Sequence, residues 1–478
     1  MRPAPSGESC VALVDLGSTF TKIRAVTESG RLAAGVQHRT TVDTDVHDGL
    51  DAALAEIASE NPELTIDRVL ACSSAGGGLR MGVVGLVDEL TAEAARQAAL
   101  GAGARVLSVV SGGLADARAA RTLIDRDPDI VLLVGGTDGG DRTSLVASAR
   151  ALAQAGAKTP VVIAGNAEAQ SEAAATLQRA GVHVVEAPNV MPEINSLVTE
   201  PTRRVLRELF ISHVIGGKLA GFGPDLEALV KMATPDAALA GVEVLAGVLA
   251  EGGAGLIAVD IGGATTDVHS WVRPAERPGY KRSLLPQLTA ARTVEGDLGM
   301  RWNAPGIVEA GLYEGFLTTD RARELRPAAE RRAAEPGYLP DSPNEGELDR
   351  TLARIAIAVA LRRHAGVRRI ALTPQGAVLR RSGRDLSDVT VVLATGGVLR
   401  SLRLDDLERS LDLARSGREA RLLPSAPRVG IDRRGCLAAA GLLASEQPQR
   451  AVRLLRSESS AYFSSKEKER TENAIATG

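Results

Sequence analysis

The chain has 478 residues, enough for two or more domains each with its own core. Hydrophobic residues make up 44% and charged residues 24%, a globular composition, and a formal net charge of −3 argues against general binding to nucleic acid or a membrane surface. Aromatics at 2% leave little material for stacking single-stranded nucleic acid.

Cys10, Cys72 and Cys436 show no paired spacing, which argues against a disulfide framework or a zinc site. No stretch approaches the ~20 apolar residues of a membrane span. The first residues carry no apolar signal core, so a cytoplasmic protein is expected.

In chain order, residues 11–16, 21–27 and 31–38 read as three short strands, with turns at Gly17-Ser18 and Glu28-Ser29-Gly30. A helix is predicted over 49–59, then a strand at Arg68–Cys72, a Gly-rich turn at Gly76-Gly77-Gly78, an apolar run at 81–87 and a capped helix at Thr91–Leu100. From 105 to 187 the rhythm changes. Val106–Val110, Ile130–Val134, Val161–Ala164 and Val182–Val185 are buried-type strands separated by Ala-rich helical segments, the pattern of parallel βα units. This layer, about 105–190, reads as an insertion into a first lobe spanning 10–250.

Beyond Pro188 the chain reads as helix and loop to about 250, and Glu251–Gly255 reads as a hinge or loop. A second lobe, 251–445, opens with a strand at Leu256 and carries a charged, Pro-rich surface excursion at 326–349. A helix at 350–363, a strand at 389–394 and helices at 400–413 and 433–444 complete it. Residues 446–478, rich in Ser, Lys and Glu, are expected to be a disordered tail.

Two segments in these lobes match. Val11–Val14 runs into Asp15, Gly17, Ser18, Thr19 and Lys22; Leu256–Val259 runs into Asp260, Gly262, Gly263, Thr265 and Thr266. A glycine directly after a strand lets backbone N–H groups approach an anion, and the hydroxyls add donors. Lys22 would neutralise phosphate charge, while Asp15 and Asp260 would orient the water shell of Mg²⁺, an ion that keeps several of its waters. Each alone also fits an ordinary hairpin turn. Together they predict a structural duplication and a ligand site between two lobes. A third element, Thr390–Thr395 followed by Gly396-Gly397, gives flat backbone space for an adenine and ribose, or is simply a tight strand-to-helix turn.

Asp138, in Gly135-Gly136-Thr137-Asp138-Gly139-Gly140, follows a buried-type strand and would either orient water or a metal, or hold its loop by hydrogen bonds to backbone. Glu295 and Asp297 pose the same alternatives. No GxxxxGK[ST] loop occurs, and the six histidines form no metal-binding pair.

The three glycine turns, in this order, resemble the phosphate-1, phosphate-2 and adenosine motifs of the actin, Hsp70 and sugar-kinase superfamily. Asp15–Lys22 is similar to its acetate-kinase-like and dehydratase-activase branch, and Asp260–Asp267 to the Hsp70-type second loop, with Ala264 in place of a third glycine. Cys72–Met81, Val134–Gly140, Ala164–Asn166, Ala187–Pro192 and Arg292–Gly299 resemble the glutamate mutase accessory family called MutL, which is unrelated to mismatch repair. That resemblance spans roughly residues 10–445. It implies an α/β fold of two actin-like, ribonuclease H-like lobes around a nucleotide cleft. It also implies ATP and Mg²⁺ as cofactors, a weak ATPase, and a reactivating role toward adenosylcobalamin-dependent mutase subunits. No Asp-x-His-x-x-Gly signature is present, so cobalamin would belong to the partner.

Two enzymatic alternatives share the clamp. One is a small-molecule kinase with Asp138 as base. The other is a reductive activase, which would need cysteines around a shared iron–sulfur cluster. A structural filament is a further alternative for an actin-like fold.

Overall fold

The computed structural model describes all residues except 1–6, 18–19, 40–45, 75–78, 103, 195, 211, 213–228, 250–254, 274–287, 374–375, 398–401, 418 and 464–478. The chain divides into two compact units. Unit one comprises residues 1–73, 237–275 and 295–478, and unit two comprises 74–236 and 276–294. The architecture is mixed α/β, as expected from the sequence.

Unit one opens with β1 (Glu8–Leu16) and β2 (Phe20–Thr27), an antiparallel hairpin extended by β3 (Leu32–Arg39). The helix Val46–Glu60 buries Leu50, Ala53 and Ile57, one side of a 3.6-residue period, and returns the chain to β4 (Leu64–Ser73). β4 runs parallel to β1 and places Cys72 beside Asp15. Paired on both sides, β1 is buried from Cys10 through Val14, which explains its unbroken apolar run.

Unit two is built on five parallel strands: β5 (Leu79–Val84), β6 (Ala104–Val110), β7 (Ile130–Leu133), β8 (Val161–Ile163) and β9 (Val184–Glu186). Their order, β6-β5-β7-β8-β9, is that of a doubly wound layer whose direction of growth switches between β5 and β7. The expected βα layer is therefore present, but the run at 81–87 supplies one of its inner strands, and the unit reaches back to Ser74. The helix expected at Thr91–Leu100 begins instead at Glu93, after a wide turn at Asp88–Ala92. The Thr91 hydroxyl accepts from Leu86 and Val87 N–H rather than capping it. Unit two also contains β10 (Val230–Ala233).

Back in unit one, β11 (Gly255–Ile261) and β12 (Thr266–Trp271) form a second antiparallel hairpin. β13 (Ala290–Glu295) follows in sequence, all but its last residue belonging to unit two. Unit one continues with a two-stranded ribbon, β14 (Val367–Thr373) with β15 (Gly376–Ser382), then β16 (Val389–Thr395), parallel to β11, and β17 (Arg428–Ile431), parallel to β16. The helix Pro343–His364 packs Leu352, Ile355, Ala356 and Val359 into the core beneath this sheet.

One segment is more regular than its composition suggested, and one expectation fails. The excursion at 326–349 is mostly helix. Thr319–Ala334 carries Pro327 within it, and Pro343 sits in the first turn of the next helix, where its missing N–H costs nothing. The supposed tail folds over Pro448–Tyr462 as a helix that buries Ala451, Leu454, Leu455 and Tyr462. Arg450 donates to the carbonyls of Thr27 (2.7 Å) and Val26 (2.5 Å), and Arg453 to those of Ser29 and Glu28. Gly30, at φ +89°, lies against Arg453 and Leu454 where a side chain would not fit. No helix among the described residues is long and apolar enough to cross a membrane.

Replacing Arg450 with Met removes two charge-assisted hydrogen bonds to backbone carbonyls, of which that of Thr27 keeps the Gly30 N–H, and is expected to lower unfolding stability by about 1–3 kcal/mol. Urea denaturation of the full chain measures it, and an unchanged midpoint would mean that the helix contributes nothing to unit one.

Candidate functional site

The two hairpins of unit one end in the same turn. Asp15 pairs with Lys22 across the first and Asp260 with Asp267 across the second, in each case seven residues apart. Gly17 N–H donates to Phe20 O at 3.1 Å, and Gly262 N–H donates to Thr265 O at 2.9 Å. Parallel neighbours complete the match, Cys72 beside Asp15 and Thr395 beside Asp260.

The side chains of these turns converge. Lys22 Nζ lies 3.2 Å from Asp15 Oδ2, and both groups are half-buried. Gly396, at φ +116°, brings the turn after β16 so close that a Cβ there would sit 2.7 Å from Asp260 Oδ1. A Cβ on Gly397 would lie 3.8 Å from Lys22 Cε. One recess thus collects Asp15, Lys22, Asp260, Gly396 and Gly397.

Asp432 was not legible as a member of this set. It follows β17, is 1% exposed, and accepts from the N–H groups of Cys436 (3.0 Å) and Leu437 (2.8 Å) at the start of the helix Cys436–Ala444. Thr395 Oγ1 donates to it at 3.4 Å. An Asp four residues before an apolar helix was the available signal, and it reads equally well as an ordinary cap.

Burial pushes the Asp260 carboxyl up to about 6; Lys22 opposes this, while Asp15 and Asp432 add to it. Burial alone would lower the Lys22 ammonium, but Asp15 and Asp260 outweigh it and hold the group above its ordinary value. Asp432 is raised by burial against the pull of its backbone hydrogen bonds. The recess is therefore short of positive charge.

The Gly262–Thr266 turn faces two ways. The carbonyls of Gly262, Gly263 and Ala264 all accept hydrogen bonds from residues 300–303. In trans peptides each N–H opposes its carbonyl, so the N–H groups of Gly263, Ala264 and Thr265 turn to the other side. None of the three has a protein acceptor among the described residues. Such a row is an anion nest. The Thr266 hydroxyl is committed elsewhere, donating to Leu298 O at 2.7 Å. Ser18 and Thr19 lie outside the described residues.

The two remaining candidates are engaged in other work. Asp138, in unit two, accepts at Oδ1 from Ala167 N–H and from Asn189 Nδ2, both at 2.9 Å, which ties the loop after β7 to the loops after β8 and β9. Glu295 pairs with Arg363 at 2.7 Å, and the same guanidinium binds both oxygens of Asp297. Among the described residues no three His, Cys, Asp or Glu side chains gather to chelate a metal. A cation beside Asp15 and Asp260 would therefore be held largely through water, as suits Mg²⁺.

A carboxyl raised from 3.8 to about 6 keeps, in the folded state, a proton that the unfolded chain has released. Unliganded stability should then fall as pH rises from about 4 to about 6 and stay level above that. Asp260→Asn is expected to flatten this slope and to stabilise the unliganded protein near neutral pH, by at most about 3 kcal/mol. Urea unfolding across pH 4–8 checks it; an unchanged slope in the variant would place the titration on another group.

The family model described as MutL protein matches residues 11–459. Protein MutL of Clostridium tetanomorphum is 38% identical over 456 residues, covering 93% of this chain and 98% of that protein. Solved structures with similar folds include nucleotide-free acetone carboxylase, at 14% identity and TM-score 0.41, covering 91% of this chain and 70% of that one. Another is a ROK family glucokinase from Streptomyces griseus in complex with glucose and AMPPNP, at 14% identity and TM-score 0.32, covering 92% and 99%. At such scores the structural likenesses add nothing to the site, whereas the match along nearly the whole sequence does decide kinship: the chain belongs to the MutL protein family.

Proposed function

We propose that this protein is an ATP-binding accessory protein that reactivates an adenosylcobalamin-dependent mutase, such as glutamate mutase or an aminomutase. The observation that carries the nucleotide half is the convergence of Asp15, Lys22, Asp260 and the Gly396-Gly397 turn in one recess beside an unpartnered row of N–H groups. The mutase half rests on family membership and on the accessory family that the sequence resembles.

The donor set fits a magnesium nucleotide. Three N–H groups and one ammonium suit phosphate oxygens, two half-buried carboxylates suit the water shell of Mg²⁺, and the glycine turn leaves room for adenosine. Bound Mg²⁺ would supply the positive charge that the carboxylates lack. Lys22 holds its proton and offsets phosphate charge, and Asp15 keeps Lys22 aimed. The nucleotide can change the surface offered to a mutase only by binding two conformations unequally, and ATP and ADP differ in the phosphate that these residues would sense.

Two rival readings gain less support. A kinase needs a carboxylate base, yet Asp138 and Glu295 are both engaged in holding structure. A reductive activase needs accessible cysteines, and all three are buried, on β1, on β4 and at the start of the helix Cys436–Ala444.

MgATP at 100 times its Kd should stabilise the protein by about 2.7 kcal/mol, and Asp15→Ala or Asp260→Ala should abolish that gain together with any hydrolysis. The functional test is recovery of an inactivated cobalamin mutase on adding this protein with MgATP and fresh cofactor. Equal recovery without ATP, or with Asp260→Ala, would defeat the reading.

A further inference from the structure

The anion nest of unit one is held from behind by one segment. Met300 N–H donates to Gly262 O at 3.1 Å, and the N–H groups of Arg301 and Trp302 donate to Gly263 O at 2.8 and 3.0 Å. Asn303 Nδ2 donates to Ala264 O at 3.1 Å. Asn303 occupies the N-cap position of the helix Ala304–Tyr313, where an Asn ordinarily caps its own helix. It makes no cap bond and reaches the loop instead. Gly299 allows the close approach, since a Cβ there would overlap the Ala264 carbonyl.

Buried charge fixes that segment in turn. Arg301 is 5% exposed and Asp349 2% exposed. Arg301 Nη2 lies 2.9 Å from Asp349 Oδ2, and its Nε donates to Tyr338 O at 3.1 Å. The fully buried Arg332 donates to the other oxygen of Asp349, at 2.5 Å, and to Glu345. Asp349 is thus clamped from two sides, by Arg301 of the loop before the helix Ala304–Tyr313 and by Arg332 of the helix Thr319–Ala334. The guanidinium it holds belongs to the residue whose N–H fastens Gly263.

We propose that Asn303, Arg301 and Asp349 are positioning residues for a phosphate-bearing ligand. They lock the carbonyls of Gly262, Gly263 and Ala264 to one side so that the N–H groups of Gly263, Ala264 and Thr265 stand ready for an anion. None of the three touches the ligand. The inference rests on the nucleotide reading above and adds that phosphate affinity is set from this buried network, whereas the adenosine end at Gly396-Gly397 is independent of it.

The test is calorimetric titration of the full-length protein with pyrophosphate, MgATP and adenosine, for wild type, Asn303→Ala and Asp349→Asn, with circular dichroism confirming the fold. Each variant should weaken pyrophosphate and MgATP about tenfold, the loss of roughly one good hydrogen bond, and leave adenosine within about twofold. If Asp349→Asn does not fold, Asn303→Ala, which gives up a single partly buried bond, decides alone. Unchanged pyrophosphate affinity in folded variants overturns the proposal, and so does an equal loss for adenosine and pyrophosphate, which would mark a general support of the fold. Wild type that binds neither MgATP nor pyrophosphate removes the nucleotide reading and this proposal together; binding by wild type with no effect of the variants removes this proposal only.

Discussion

Lys22 is the counter-charge that lets the recess exist. Asp15, Asp260 and Asp432 all act on one another or on this ammonium, and burial favours the neutral form of Asp260 and of Asp432. Without the ammonium, two half-buried carboxylates on neighbouring hairpins would face each other with nothing between them. Bringing like charges together in a poorly solvated place costs several kcal/mol unless a proton, a side-chain cation or a metal compensates. Lys22 compensates in part, and the upward displacement of Asp260 shows what is left over. The apo protein holds a deficit of positive charge matched to what a metal-bearing phosphate ligand would bring.

That arrangement follows from two hairpins of matching geometry whose difference in charge lies at one position. The turn, its glycine hydrogen bond and the parallel neighbour are the same, but the residue seven places after the aspartate is Lys22 in one half and the buried Asp267 in the other. Duplicating the first hairpin unchanged would have set two lysines against two aspartates. The second half keeps its backbone donors open instead, because residues 300–303 absorb the carbonyls. One half contributes a point charge and the other a set of directed dipoles, which suits an anion with several oxygens better than two copies of either.

What the sequence revealed and what it hid follow a physical line. Asp15, Lys22, Asp260 and the Gly396-Gly397 turn were legible because a strand, an aspartate and a glycine turn form a local pattern, and strand pairing does the rest. Asp432 was hidden because its place depends on hydrogen bonds to Thr395, 37 residues earlier, and to a helix that could have used any cap. The Asn303–Ala264 and Arg301–Asp349 contacts span 39 and 48 residues and leave no periodic trace. Composition misled at the C-terminal end. Ser, Lys and Glu over 446–478 suggested disorder, yet Ala451, Leu454, Leu455, Glu458 and Tyr462 recur at helical spacing, and Pro448 marks a helix start. At 326–349 composition showed a surface excursion but not its helices: Pro336 and Pro340 fall in the connection between them, Pro343 in a first turn and Pro327 inside a helix.

The C-terminal helix explains why Lys22 stays where it is needed. Lys22 and Arg24 alternate onto the same face of β2, and the Arg24 guanidinium donates to the carbonyls of Arg434, Ile23 and Val36. Arg434 also pairs with Glu458 on the last helix, whose Arg450 and Arg453 hold the other end of the β2 hairpin at Val26–Ser29. The same helix closes on the second sheet, where Gly430 of β17 leaves room for Tyr462 and Phe463, and Arg428 stacks over the Phe463 ring at 3.7 Å. The strand bearing Lys22 is thereby fastened to the strand that leads into Asp432. Any motion that separates the two hairpins of unit one must break arginine–carbonyl bonds in this clasp or carry the last helix along with one side. The residues assigned by composition to a loose tail are therefore the ones that couple the two halves of the recess.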